Sequence, residues 1–371
     1  MTFAEYFRAR ERSKSPLLKG FESLLRPWSD AEFEHRARQA QQLTRRFFGK
    51  TMRLFAPLYL SNECVNSCQY CGFSRDNPIL RVTLSPEEVE REARHLAAEG
   101  FRSVLLVSGE HPKFVANDYL RSVIQRLVGF IPSVSLEIAP LETADYEPLV
   151  AAGAEGLVVY QETYDRELYG ELHTAGPKKN FDWRLECPER AYAAGFRRIG
   201  IGALLGLGVW QTEALALAEH LEYLLRKCWR AQLTVSLPRV RAAAGGFHPR
   251  CALTDRELAQ MLCALRITFP QVGIVLSTRE APPLRDAFMT LGVTLMSAGS
   301  RTEPGGYTGQ GMKSLHLTVK GRPRPPACAS GHAEAQFAIE DNRCPAEVAQ
   351  ALRTKGLEPI WKDWESSILT A

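Results

Sequence analysis

The segment PLYLSNECVNSCQYCGF, residues 57–73, joins a short apolar run to three closely spaced cysteines. The run PLYLSN (57–62) predicts a buried β-strand, and Cys64, Cys68 and Cys71 follow directly after it. In a parallel barrel this position is the C-terminal face, where such barrels carry their active sites. The predictions of the fold and of the site therefore both depend on whether the rest of the chain predicts a parallel barrel.

Further short apolar runs follow along the chain, separated by helix-like stretches. Most are apolar throughout rather than alternating, which is typical of strands covered on both faces. They are VLLVSG (104–109), VSLEIAP (134–140), GLVVYQ (156–161), IGIGALLGL (199–207), QLTVSL (232–237), VGIVLST (272–278) and VTLMSAG (293–299). With the first run they make eight strands that alternate with about as many helices. This pattern predicts an α/β fold, a closed (β/α)8 barrel of the TIM type rather than an open sheet.

The sequence also predicts where some helices start and how the chain is divided into segments. Ser85 with Glu88, and Thr254 with Glu257, have the spacing of a capping box before an apolar periodicity. We expect the barrel to occupy residues 55–300. An N-terminal helical extension is predicted over 1–54, with helices near 3–13 and 29–48. A C-terminal extension of loop and helix is predicted over 301–371, packed on the barrel.

The composition excludes several other classes of protein. The chain has 371 residues, of which 45% are hydrophobic and 24% charged, as in a globular protein. Its net charge of +4 is a small difference between 46 basic and 42 acidic residues, so neither a nucleic acid nor a membrane partner is expected. No apolar run reaches the roughly 20 residues of a spanning helix, and the N-terminus lacks a secretory signal. We therefore expect a cytoplasmic protein.

Three thiolates in one short loop fit two kinds of metal site. A structural zinc site needs four ligands and usually pairs of CxxC, and the chain has no second CxxC. A [4Fe–4S] cluster held by three thiolates leaves one iron open for an outside ligand, which fits Cys64, Cys68 and Cys71. Four other cysteines fall at or in predicted helices, which favours a structural role for them: Cys187, Cys228, Cys251 and Cys263.

The spacing C-x3-C-x2-C, with an aromatic residue before the third cysteine, is the signature of the radical S-adenosylmethionine (SAM) superfamily. The chain resembles, over nearly its whole length, the 2-iminoacetate synthase family within it. The resemblance is carried by residues 57–77 (PLYLSNECVNSCQYCGFSRDN), VLLVSGEHPKF (104–114), VVYQETY (158–164), VSLPRVR (235–241), LSTREAP (276–282) and WKDWES (361–366).

This resemblance implies a radical SAM barrel that holds a [4Fe–4S] cluster and S-adenosylmethionine. It implies cleavage of the Cα–Cβ bond of L-tyrosine to 2-iminoacetate (dehydroglycine) and p-cresol, with 5′-deoxyadenosine and methionine as co-products. The imine would supply thiazole formation in thiamine biosynthesis. The implied protein partners are thiazole synthase and an electron donor of the flavodoxin or ferredoxin type.

The resemblance also assigns residues to the cofactor. Ser108, Gly109 and Glu110 match the glycine-containing motif that receives the methionine amine of SAM, although a plain turn would look the same. Tyr70 would lie along the adenine, with a core aromatic as the alternative. Glu162, at a strand end, would meet the ribose or an ammonium group. Arg184 would pair with the cofactor carboxylate through its planar fork, or lie at the surface.

The substrate needs a fixed carboxylate, because its amine must be presented to the radical. Arg279 and Ser297 follow neighbouring strands of the predicted barrel, and Tyr59 approaches the same mouth from the first strand. The resemblance to aromatic amino-acid lyases supports this trio, with Arg279 as the carboxylate clamp and Ser297 and Tyr59 as hydrogen-bonding neighbours. Arg239 and Arg241 are the competing clamps.

Two other readings stay open from the sequence. A lyase acting on another amino acid, such as tryptophan, would share the same cluster and barrel. A cluster- or zinc-binding scaffold without enzymatic activity is the other alternative. The related [FeFe]-hydrogenase maturase carries a second, C-terminal cluster on a CxxC pair and a third cysteine. Here the late cysteines are Cys328 and Cys344, which do not fit that arrangement. Trp361 and Trp364 near the C-terminus predict a docked tail.

Overall fold

The computed structural model describes residues 2–8, 14–324 and 331–362. Its strands are β1 (Thr51–Ser61), β2 (Ser67–Cys68), β3 (Ile79–Arg81), β4 (Ser103–Ser108), β5 (Ser133–Glu137), β6 (Ala154–Glu162), β7 (His173–Ala175), β8 (Arg198–Ala203), β9 (Gln232–Ser236), β10 (Gly273–Leu276), β11 (Leu295–Ser297), β12 (His316–Val319), β13 (Arg322–Arg324) and β14 (Glu358–Ile360). Its α-helices are α1 (Phe3–Arg8), α2 (Pro16–Leu24), α3 (Asp30–Phe48), α4 (Pro86–Ala98), α5 (Asn117–Leu127), α6 (Thr143–Ala151), α7 (Arg166–Leu172), α8 (Phe181–Leu185), α9 (Cys187–Ala194), α10 (Trp210–Lys227), α11 (Asp255–Thr268), α12 (Pro282–Phe288) and α13 (Pro345–Thr354). Short 3-10 turns cover Pro177–Lys179 and Met312–Ser314.

The main sheet closes into a parallel barrel. Its nine strands follow the order β11-β10-β9-β8-β6-β5-β4-β1-β14, and β11 also pairs with β1. The closure is parallel, with Arg53 opposite Leu295 and Phe55 opposite Ser297. The ninth strand, β14, adds to β1 outside the closed ring of eight. This confirms the predicted (β/α)8 barrel, and each of the eight apolar runs overlaps one barrel strand.

Alternation along each barrel strand divides its side chains between two cores. On β1, Leu54 and Leu58 are buried against the surrounding helices, whereas Phe55 and Tyr59 belong to the interior of the barrel. The same alternation places the inner face of β5 at odd-numbered positions, which end at Glu137. Side chains of that inner face at the C-terminal ends of the strands therefore meet in one place.

The segments outside the barrel pack on it. The N-terminal segment forms three helices where the sequence predicted two, because the glycine in α2 conceals a helix that starts with a Ser15 cap. The helices α2 and α3 both contact α11. β1 begins at Thr51, inside the segment assigned to the N-terminal extension, because polar residues mask its start. The two predicted capping boxes form at α4 and α11.

The C-terminal segment returns to the base of the barrel. β14 pairs with the start of β1, and the ring of Trp361 lies 5.1 Å from that of Phe101 in an edge-on contact. This packing agrees with a docked tail, while Trp364 and Cys328 lie outside the described residues. Within those residues, no helix combines the length and the apolar character needed to cross a membrane.

Candidate active site

The loop after β1 brings the three cysteines to the C-terminal face of the barrel. Cys68 lies in the two-residue strand β2, opposite His173 of β7, and its side chain is buried. Cys64 and Cys71 are partly exposed. The loop is fixed to the end of β4, since Val65 N–H donates to the Glu110 carbonyl at 2.9 Å and Gly109 N–H to the Ser61 carbonyl at 2.9 Å.

The three thiols influence one another electrostatically. Burial, together with the nearby Glu110 and Cys71, raises the pKa of the Cys64 thiol to about 11. Burial also raises the pKa of Cys68 and of Cys71, and the ammonium of Lys178 opposes that rise in both. Metal ligation requires thiolates, so a cationic centre has to compensate this crowding of negative charge.

The donor set fits an iron–sulfur cluster. The backbone N–H of Asn66 points at Cys64 Sγ at 3.5 Å, and Gln336 Nε2 lies 3.9 Å from Cys71 Sγ, so two of the sulfur atoms face N–H groups. In the described chain, no group of three His, Cys, Asp or Glu side chains converges on a single ion. A cluster does not require such convergence, because each thiolate binds a different iron.

A cavity of about 770 Å³, here called the lateral cavity, lies beside this loop. It is lined by Val65, Ser108, Gly109, Glu110, His111, Pro112, Val115, Leu120, residues 138–141, Pro177, Lys178, Trp183 and Arg184. A Cβ on Gly109 would lie 2.2 Å from the Glu63 carbonyl oxygen, so the loop can approach β4 this closely only at a glycine. Ser108 Oγ is buried and has no hydrogen-bond partner among the described residues. Four of the predicted cofactor residues, Ser108, Gly109, Glu110 and Arg184, thus share one cavity.

A buried network of alternating charges forms one wall of this cavity. Arg184 Nη1 donates to Glu110 Oε1 at 3.0 Å, and Arg184 Nη2 lies 3.6 Å from Glu162 Oε1. Glu162 Oε1 also accepts from Lys178 Nζ at 2.8 Å. Burial alone would raise the pKa of Glu162, but Lys178 and Arg184 lower it below its ordinary value. Glu162 has a φ of +72°, a backbone strain rare outside glycine and frequent at functional sites. Arg184 is therefore buried rather than at the surface.

Tyr70 lies on the other side of the cysteine loop. Its ring packs in a small core with Cys68, Leu204 and Leu207, and its hydroxyl lies 2.8 Å from His173 Nε2. It does not line the lateral cavity. The side chain therefore has the surroundings of a core aromatic, and its predicted backbone contact with adenine stays a prediction.

A second cavity, the central cavity, encloses about 700 Å³ at the mouth of the barrel. It is lined by Phe55, Pro57, Tyr59, Leu105, Val107, Glu137, Tyr160, residues 236–238, residues 275–280, Ser297, Ser300, Thr302, Gln336 and Phe337. The three predicted substrate residues, Tyr59, Arg279 and Ser297, all belong to it. Ser297 Oγ accepts from Thr278 N–H at 3.2 Å, and the Tyr59 hydroxyl donates to Gln336 Oε1 at 2.8 Å.

The structure distinguishes the three candidate arginines. Arg239 and Arg241 share the buried carboxylate of Glu280, with Arg241 Nη2 at 2.7 Å, and Arg239 also contacts Asp255 at 2.7 Å. Arg279 makes no ion pair with any residue that the structure describes. Its guanidinium lies over the Phe337 ring at 3.3 Å, and Nη1 donates to the Arg239 carbonyl at 3.3 Å. Burial lowers its pKa, and nearby acidic groups oppose that effect.

Four residues of the two cavities were missed by the sequence analysis: Glu137, Lys178, Gln336 and Phe337. Glu137 had a readable signal, because it is a carboxylate within an otherwise apolar strand. The other three lie in turns or irregular segments that only tertiary contacts bring to the site. Of the four cysteines expected to be structural, Cys187, Cys228 and Cys263 are buried at or in helices, while Cys251 lies in the loop before α11.

Comparisons with known proteins agree with this architecture. Residues 58–221 match the profile of the Radical SAM superfamily, and residues 236–358 match that of the Biotin and Thiamin Synthesis associated domain. The [FeFe]-hydrogenase maturase HydG from Carboxydothermus hydrogenoformans superposes with a TM-score of 0.82 at 36% identity, over 97% of this chain and 79% of that one. Methylornithine synthase (PylB) shares the fold, with a TM-score of 0.69 at 21% identity over 93% of this chain and 96% of that one. The barrel and its cysteine loop thus define a radical SAM enzyme.

More specific relatives are the 2-iminoacetate synthases of Escherichia coli (strain K12) and Salmonella typhimurium. Each is 40% identical over 346 residues, which cover 93% of this chain and 86% of the relative. The chain belongs to the 2-iminoacetate synthase family, as its motifs indicated, and is a radical SAM lyase. Membership of the superfamily implies a [4Fe–4S] cluster and SAM.

Proposed function

We propose that the protein is a tyrosine lyase that cleaves the Cα–Cβ bond of L-tyrosine. The products are 2-iminoacetate and p-cresol, with 5′-deoxyadenosine and methionine from SAM. One tyrosine and one SAM give these four products with two electrons and one proton from an external donor. The observation that carries the proposal is the central cavity, in which Arg279 lies together with Tyr59 and Ser297 and has no ion-pair partner in the described part of the chain.

The cofactors would be held by the loop and the lateral cavity. Cys64, Cys68 and Cys71 would ligate three irons of the cluster, and the fourth would bind the methionine part of SAM. The bound cluster and SAM supply the 5′-deoxyadenosyl radical that starts the reaction. The unpartnered Ser108 hydroxyl and the backbone of Gly109 and Glu110 offer polar contacts to the cofactor, and Arg184 offers its remaining donors to a carboxylate.

The chain's own contribution to the reaction is positioning. The Phe337 ring covers one face of the Arg279 guanidinium, and the in-plane N–H donors that do not contact the Arg239 carbonyl would bind a carboxylate. The hydroxyls of Ser297 and Tyr59 fix the neighbouring atoms of the substrate. A loosely held substrate would let a radical react with the protein, so a fixed geometry matters more here than acid–base strength.

The C-terminal segment supplies Gln336 and Phe337 to the wall of the central cavity. Gln336 bonds to Tyr59, and its backbone carbonyl accepts from Gly72 N–H at 3.0 Å, so the segment joins the cavity to the cysteine loop. Ala338 N–H donates to the Ala242 carbonyl at 2.8 Å. Exclusion of water protects an imine product from hydrolysis until it is released.

The wider role would be to supply the imine to thiazole synthase in thiamine biosynthesis. The relatives' name and the matched Biotin and Thiamin Synthesis associated domain support this role. A flavodoxin or ferredoxin would deliver the electrons.

The test is anaerobic reconstitution with iron and sulfide, followed by reduction in the presence of SAM and tyrosine. We expect about four irons and four sulfides per chain and release of p-cresol, measured by liquid chromatography. Formation of 5′-deoxyadenosine without p-cresol, together with fragmentation of tryptophan in a parallel reaction, would assign the chain to a lyase of another amino acid. A content of one zinc and no iron would overturn the proposal altogether.

A further inference from the structure

One charged side chain of the central cavity has no role in the site described so far. Glu137 is the last residue of β5 and lines the cavity. Within the described parts of the chain, its carboxylate makes no hydrogen bond and no ion pair. The side chain is partly exposed to the cavity. A carboxylate that faces a cavity without a protein partner is available to a cationic or hydrogen-bond-donating ligand.

Glu137 and Arg279 lie on opposite walls. In the closed ring, β5 is four strands from β10 in either direction, and Arg279 follows the end of β10. Neither the Glu137 carboxylate nor the Arg279 guanidinium has an ion-pair partner among the residues that the structure describes. A free α-amino acid carries one carboxylate and one ammonium, which is the complement of this pair of charges.

Glu137 also marks the point along the chain at which the lining passes from one cavity to the other. It lines the central cavity, and the next residue, Ile138, lines the lateral cavity. The proposed reaction begins at the substrate amine, which has to approach the cofactor. A residue at this junction can therefore contact the amine, whereas the aromatic ring can extend toward the apolar wall of Phe55, Leu105 and Val107.

We propose that Glu137 binds the α-ammonium group of the substrate amino acid and accepts one proton from it. In that step an N–H bond breaks and an O–H bond forms, which leaves a neutral amine and a carboxylic acid with no change in total charge. The inference rests on the proposed function, because it assumes that the substrate is a free amino acid whose amine reacts.

The electrostatics of the cavity suit a proton acceptor. Burial, together with the negative charge of Glu162, raises the pKa of Glu137 to about 7. The facing groups are Glu162 on β6, Arg184 on α8, Lys178 in the turn before it, Arg279 after β10, and the phenols of Tyr59 and Tyr160. The three cations lower the pKa of Glu137 but do not cancel the rise caused by burial and Glu162.

The experiment uses two analogues of tyrosine that each lack one charge. Tyramine has the ammonium and no carboxylate, and 3-(4-hydroxyphenyl)propanoate has the carboxylate and no ammonium. Binding of both and of tyrosine is measured by equilibrium dialysis on the cluster-loaded protein with SAM. Glu137→Gln keeps the shape and removes the charge, and Glu147→Gln, an exposed carboxylate on α6, is the matched control.

We expect the Glu137→Gln variant to bind tyrosine and tyramine about 10- to 100-fold more weakly and to bind the propanoate with unchanged affinity. The Arg279→Ala variant should show the reverse: weaker binding of the propanoate and unchanged binding of tyramine. In the parent protein kcat/KM for tyrosine should fall below about pH 7, since protonated Glu137 cannot accept a proton, and this limb should be absent in Glu137→Gln. Glu137→Asp, which keeps the charge, should recover part of the affinity.

Two results would overturn the inference. One is unchanged binding of tyrosine and tyramine in Glu137→Gln, and the other is an equal loss for all three ligands. A parent protein that makes no p-cresol from tyrosine contradicts the proposed function instead, so the two failures are distinguishable. Iron content and melting temperature, measured on each variant, separate a loss of amine binding from a loss of folding.

Discussion

Replacement of Arg279 by alanine tests the carboxylate clamp most directly. Arg279 has no acidic partner among the residues that the structure describes, so its removal leaves no buried carboxylate behind. Phe337 loses its cation–π contact, worth about 1–2 kcal/mol at a desolvated site. The variant should therefore fold and assemble its cluster.

The effect on the substrate should be much larger than the effect on folding. A buried, charge-assisted pair between a ligand carboxylate and an arginine contributes roughly 2–5 kcal/mol. At about 1.4 kcal/mol for each factor of ten, this predicts a rise in the KM for tyrosine of roughly 30- to 4,000-fold. Arg279→Lys should recover little of it, because a lysine lacks the planar pair of donors.

The assay measures p-cresol against tyrosine concentration and, separately, the binding of SAM. The matched control is Arg239→Ala, which removes a nearby arginine that is paired with Glu280 and Asp255. That change should lower the melting temperature and leave the KM for tyrosine within a few-fold. An Arg279→Ala enzyme with an unchanged tyrosine dependence would refute the assignment and make Arg239 the next candidate.

Three further predictions concern the cluster, the cavity and the fold. The Cys68→Ala variant should lose most of its iron and all 5′-deoxyadenosine formation, because two thiolates hold a cluster poorly. The control variant Cys263→Ala, in α11, should retain both the iron and this activity. Equal losses in the two variants would contradict the three-thiolate site. Tyr59→Phe removes one neutral hydrogen bond of about 1 kcal/mol and should raise the KM for tyrosine up to about tenfold, with an unchanged iron content. Asp341→Asn leaves the fully buried Arg285 without its charge partner, and urea titration should show a loss of about 3–5 kcal/mol in the free energy of unfolding.

The sequence predicted the parts of the site that depend on strand order. Buried parallel strands are continuous apolar runs, so the barrel was visible as a repeat of such runs. Residues that directly follow a strand must then lie at the C-terminal face, which located the cysteines, Ser108 to Glu110, Arg279 and Ser297. No tertiary information was needed for that step.

The parts that depend on long-range contacts were not predictable in this way. Gln336 and Phe337 lie in an irregular segment, which is held by Gln336 N–H donating to the Thr302 carbonyl at 2.9 Å and Glu340 N–H to the Thr278 carbonyl at 3.0 Å. Nothing in the local sequence encodes those partners. The choice between the three arginines was open for the same reason, since it depends on which of them Glu280 neutralises.

The pairing at Glu280 also bears on which substrates the cavity can accept. Glu280 pairs with Arg239 and Arg241, so the charged groups of the central cavity without an ion-pair partner among the described residues are Arg279 and Glu137, on opposite walls. A zwitterionic amino acid satisfies both, whereas a dicarboxylate or a phosphate would place a second negative charge near Glu137. On the proposed function, this pair of charges would select amino acids as a class. On the proposed function, discrimination between tyrosine and tryptophan would come from the rest of the wall, which combines apolar side chains such as Leu105 and Val107 with polar ones such as Tyr160.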